Sequence, residues 1–120
     1  MNKLFVPYHL AVLAKEKGFD EPCLSYYWEL ELHDWWKNPC YTTNSVQGKD
    51  EDCVAAPLYQ QLVDFLREKY NISIELHWQQ GTEGWYFCYG YNAGKWYFPK
   101  GTFKYYEALN KALEEAFKLI

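Results

Sequence analysis

The sequence predicts an α+β fold of two layers, an antiparallel sheet of about four strands packed by three helices on one face, in the order α-β-loop-α-β-β-β-α. Three observations predict it. Apolar and polar residues alternate over 24–32, 72–79 and 85–91, the two-residue period of strands with one buried face. Apolar stripes at helical spacing recur over 7–17, 57–70 and 102–120. The turns at 80–84 and 92–94 are too short to join anything but antiparallel neighbours. No repeat or linker interrupts the pattern, so one domain over residues 1–120 is expected. A chain of that size buries enough surface to fold without a metal or disulfide.

The first helix is expected over 7–17. Pro7 suits its first turn, Leu10, Leu13 and Ala14 form its stripe, and Gly18 caps it with Phe19 packing back on the last turn. Glu21-Pro22 then forces extended chain. Over 24–32, Leu24, Tyr26, Trp28, Leu30 and Leu32 are expected inward, with Ser25, Tyr27, Glu29 and Glu31 outward. Residues 33–55 show no sustained period and are expected as a long loop, a feature that in a small domain often carries function. A second helix runs from Pro57 to about Tyr70 with Leu58, Leu62, Phe65, Leu66 and Tyr70 inward, and Asn71 stops it. Ile72, Ile74, Leu76 and Trp78 share one strand face. Trp85, Phe87, Tyr89 and Tyr91 share the matching face of the next strand, and Trp96–Phe98 is a short edge strand closed by Pro99. Thr102 is the expected N-cap of the last helix, whose stripe is Tyr105, Ala108, Leu109, Ala112, Leu113, Ala116, Phe117 and Ile120.

Charge and composition narrow the function. With 12 Lys and Arg against 16 Asp and Glu, the chain lacks the basic surface from which non-specific nucleic-acid affinity derives, so nucleic acid is disfavoured as a partner. No apolar run approaches the ~20 residues of a membrane span, and no membrane partner is expected. Pro7 and His9 break the N-terminal apolar stretch and Lys15-Glu16-Lys17 follows it, which argues against a signal peptide and for a cytoplasmic protein. Cys23, Cys40, Cys53 and Cys88 then read as thiols; in an oxidising compartment Cys40 and Cys53 are the pair that would bracket the polar loop.

No catalytic, cofactor or metal motif stands out. His9, His33, His77 and the four cysteines lack the close pairs of structural zinc sites, so no metal or cofactor is implied. Cys53 or Cys88 with His33 or His77 would make a nucleophile only with a lowered thiol pKa, of which the sequence gives no sign. Glu29 and Glu31 fall about 7 Å apart on one strand face, a carboxylate spacing that also describes an ordinary solvated face. Gly81, Gly84, Gly90 and Gly94 precede no helix and form no phosphate cradle. The aromatic residues, 21% of the chain, exceed what one small core readily holds. Tyr27 and Tyr86 fall on the outward faces of their strands, and Trp35, Trp36, Tyr41 and Tyr97 have no core position. These six are the expected interaction surface.

Three segments carry a resemblance: Lys15-Glu16-Lys17-Gly18-Phe19-Asp20-Glu21-Pro22-Cys23, the run Ala56 to Tyr70, and Tyr105-Tyr106-Glu107-Ala108-Leu109-Asn110-Lys111-Ala112-Leu113. Together they resemble a set of small uncharacterised proteins of phages, prophages and mobile elements of gut Bacteroidales. Phe65-Leu66-Arg67-Glu68-Lys69 stands where that set often has a Trp-Phe pair. The resemblance implies cytoplasmic expression in a bacterial host and no activity or site residues. The expectation is a non-enzymatic module that binds a host or phage protein. Two alternatives are a small-molecule-binding protein or small enzyme with its site near the 33–55 loop, close to His33 and His77, and a single-stranded nucleic-acid binder, which the charge disfavours.

Overall fold

Pro7, with φ fixed near the helical value and no N–H to satisfy, opens α1 (Tyr8–Glu16). A computed structural model describes residues 2–33, 42–47, 53–81, 84–91 and 94–120. Gly18 takes the left-handed conformation at φ 92° and ends α1 as expected. The N–H groups of Gly18 and Phe19 bond the carbonyls of Lys15 and Ala14, the paired bonds of a Schellman cap. Phe19 is buried against that last turn's side of the core, along with Leu10, Ala11 and Ala14.

The chain divides into two compact units, Met1–Leu62 and Val63–Ile120. In the first, β1 (Ser25–Trp28) pairs antiparallel with β2 (Glu31–Leu32) and with β3 (Cys53–Ala56), giving the order β2-β1-β3. The nine-residue alternation at 24–32 is therefore a hairpin and not one strand. Glu29 and Leu30 turn the chain at φ 50° and 74°, and the faces reverse: Ser25 and Tyr27 are buried while Trp28 and Leu30 are 50% and 68% exposed. Apolar rhythm continued across the turn and mimicked a single strand. The 33–55 region also holds structure that the sequence hides, a helical turn α2 (Asn44–Gln47) and β3. All four β3 residues are buried, so small side chains on both faces leave no alternation to detect. Asn44 binds this unit together, donating to the Phe19 carbonyl at 2.7 Å and accepting from Ala55 N at 3.0 Å.

α3 (Tyr59–Tyr70) starts one turn after Ala56, with the Gln61 side chain accepting from Leu58 N–H at 2.9 Å in the manner of a capping box. Asn71 at φ 58° stops it. In the second unit β4 (Ile72–Gln79), β5 (Gly84–Tyr91) and β6 (Lys95–Tyr97) form the predicted meander, order β4-β5-β6. Its register sets Ile74 opposite Tyr89 and Leu76 opposite Phe87. α4 (Tyr105–Phe117) lays Ala108 and Ala112 on Phe87 and Tyr89, with Ile74, Leu76, Trp85, Tyr97 and Phe103 around them. Thr102 is not its cap. Phe103 pairs with Trp85 through two backbone bonds of 2.8 Å, which keeps 102–104 extended and moves the helix start to Tyr105, with Lys104 at the cap position.

The α+β class and the antiparallel pairing are those the sequence predicts. The strands, however, divide between two sheets of three where one sheet of about four is expected, because β3 supplies β1 with its own neighbour.

Candidate binding surface

Trp78 and Trp85 face one another across β4 and β5 at the end of the sheet, next to the turn. Their rings meet edge to face at 5.6 Å, Trp85 meets Tyr105 at 5.1 Å, and Tyr105 meets Tyr106 at 5.2 Å. Such contacts use the positive ring edge against the negative face. The chain of rings reaches solvent: Trp78 is 51% exposed, and Tyr105 and Tyr106 are exposed too. Beyond β6, Pro99 ends the strand and leaves Phe98 64% exposed, while Trp96 stands over Gly90. A Cβ on Gly90 would lie 3.0 Å from the Trp96 ring, a tight contact, so glycine gives that ring room to lie close on the strand.

Two open grooves flank Trp78. One, of about 510 Å³, is lined by Trp85, Thr102, Phe103, Lys104 and Tyr105. The other, of about 470 Å³, is lined by Gln79, Gln80, Tyr86, Phe98 and Pro99. Lys95, Lys100 and Lys104 are interleaved with these rings along the segment. Lys95 sits over Tyr97 at 5.3 Å, where the ammonium meets the ring face.

The six predicted surface residues fare differently. Tyr27 is not on the surface: it is 9% exposed, donates its hydroxyl to the Val6 carbonyl at 2.8 Å and meets Tyr8 edge to face. Burial raises its pKa. The inverted face of β1 is the cause. Tyr97 is half-buried, stacked on Tyr89 at 5.0 Å beside the core. Tyr86 is half-buried, stacks on His77 at 5.1 Å and lines the second groove. Trp35, Trp36 and Tyr41 lie outside the described residues, as does most of the 33–55 loop near which a small-molecule site was expected. His33 is stacked on Tyr26 at 4.6 Å in the first unit. Glu29 sits in the hairpin turn and Glu31 in β2, so they do not share a strand face. Trp78, Phe98 and Tyr105 are exposed residues that the periodic pattern conceals, because each sits at the end of a stripe that places it in the core or at an edge. The signal was present in the run Lys95-Trp96-Tyr97-Phe98-Pro99-Lys100 and in Lys104-Tyr105-Tyr106.

The other face of β4 and β5 carries a polar group. Glu75 stands opposite Cys88, and His77 opposite Tyr86. Glu75 Oε2 lies 3.0 Å from His77 Nε2, and one donor atom from each of Glu75, His77 and Cys88 lies within 4.8 Å of the others. Cys88 is 2% exposed, and burial first, then the Glu75 carboxylate, push its thiol pKa up. An uncomplexed Cys88 is therefore a thiol and not the thiolate a nucleophile requires.

No family model, curated protein or solved structure matches the chain. Among the described residues, no helix is long and apolar enough to cross a membrane.

Proposed function

We propose that the chain is a non-enzymatic binding module whose second unit holds an extended segment of another protein at the aromatic surface around Trp78. The observation that carries this reading is the exposed ring of Trp78, standing between two grooves and continued by Trp85, Tyr105 and Phe98. Rings of this kind bury much area at little conformational cost and concentrate binding energy at interfaces. The sheet order supports an extended partner, because among the described residues no strand pairs with the outer edge of β4, eight residues long and ending beside Trp78. A segment added there would gain main-chain bonds and lay alternate side chains against the rings. The resemblance to phage and mobile-element proteins points to the cytoplasm of a bacterial host and to a host or phage protein as the partner.

Panning the purified chain against a displayed library of unstructured peptides tests this. Enriched peptides should bind the wild type and lose at least tenfold in affinity with Trp78→Ala or Phe98→Ala, each checked for an unchanged near-ultraviolet spectrum. Failure to enrich, or affinity indifferent to both substitutions, overturns the reading. A second reading, single-stranded nucleic acid, is favoured by one observation, the lysines Lys95, Lys100 and Lys104 set among stacking rings. Fluorescence anisotropy of a labelled oligonucleotide at low salt decides for it if binding falls with Lys100→Ala and Lys104→Ala.

A further inference from the structure

The geometry points to a metal site on the opposite face of the same hairpin, in which Glu75 and His77 of β4 and Cys88 of β5 hold one zinc-type divalent cation. None of the three ligands lines a groove beside Trp78, although Tyr86, which stacks on His77, also lines the second groove. Two ligands two residues apart on one strand point to the same face, and the hairpin register places the third directly across from the first. The three donors already lie within 4.8 Å of one another. A tetrahedral zinc with imidazole, thiolate and carboxylate ligands at ~2.0–2.3 Å has its donors about 3.3–3.6 Å apart. Side-chain rotation of Glu75 and His77, both half-exposed, closes that difference without moving the strands.

The donor set selects the ion. A sulfur and an imidazole nitrogen are poor ligands for calcium or magnesium and good ones for zinc or cobalt. Three protein ligands leave a fourth position for water. Tyr86 stacks on the face of the His77 ring and leaves its nitrogens at the edge, where Nε2 already meets Glu75 Oε2 at 3.0 Å.

Cobalt(II) added to the full-length reduced chain gives the direct test. The expected result is binding at one equivalent with a near-ultraviolet thiolate-to-cobalt charge-transfer band, displaced by zinc. Cys88→Ser should abolish the band, and His77→Ala and Glu75→Gln should each weaken binding at least tenfold. Zinc should raise the midpoint of thermal unfolding of the wild type but not of His77→Ala. Absence of the band, its persistence in Cys88→Ser, or wild-type affinity in His77→Ala overturns the site. If Cys88→Ser does not fold, the two surface variants decide alone.

Discussion

Tyr27 donates its hydroxyl to the Val6 carbonyl from a position with almost no solvent, so removing that hydroxyl leaves a buried acceptor without its partner. Tyr27→Phe should destabilise the chain by about 1–3 kcal/mol, read from urea unfolding with an unchanged slope. Cys23 makes a separate statement about pH. Burial first, then the Glu21 charge, push its thiol from 9.0 up to about 12. A thiol that stays neutral in the fold but ionises in the unfolded chain contributes stability that is complete below pH 9.0 and is lost as pH rises toward 12. The difference in unfolding free energy between wild type and Cys23→Ala should therefore shrink across that interval; a constant difference would contradict the shift. Neither residue's role is legible in the sequence. Parity places Tyr27 outward, and parity is only as good as the position of the nearest turn.

Hairpins show why. In β1–β2 the central turn residues Glu29 and Leu30 both have positive φ, the pattern of a type I′ turn, which favours Asn and Gly. Leucine at φ 74° is strained, and its side chain is mostly exposed, so little packing compensates. Glu29→Asn with Leu30→Gly should stabilise the chain by about 1–2 kcal/mol, seen as a higher unfolding midpoint. Because the sequence lacks the usual turn residues there, the turn was unreadable and the strand reading ran through it. The β4–β5 hairpin is the opposite case. Its turn is legible, but over the 80–84 span that the sequence suggests Gln79 would face Trp85 and Glu75 would face Tyr89; β5 starts instead at Gly84, which brings Glu75 opposite Cys88. α1, α3, α4 and the β4–β6 meander were readable because their periods are long and uninterrupted. β3 was not, since four small buried residues carry no period at all. At β5, Gly90→Ala should shift the Trp96 ring outward, because the added Cβ meets it at 3.0 Å. The expected readout is a red-shifted, more quenchable tryptophan emission with the fold retained.

Across the whole molecule the charge is unevenly divided. Residues 1–62 hold nine Asp and Glu against five Lys and Arg, whereas residues 63–120 hold seven of each. The net charge of −4 therefore belongs to the first unit, and the second, which carries the aromatic surface, is neutral. Excluding nucleic acid from the net charge of the chain averages over this division, so the discriminating quantity is how binding responds to salt. A protein segment held by rings and by the edge of β4 releases few counterions, and its affinity should change by less than threefold between 50 and 200 mM salt, an order-of-magnitude expectation for a largely uncharged contact. A single strand neutralised by Lys95, Lys100 and Lys104 would give a slope of about −2 in log affinity against log salt, or roughly a twentyfold loss over the same range. Titration of any ligand recovered for the Trp78 surface at these two salt concentrations separates the readings, because screening acts on the lysines and leaves the burial of the rings almost untouched.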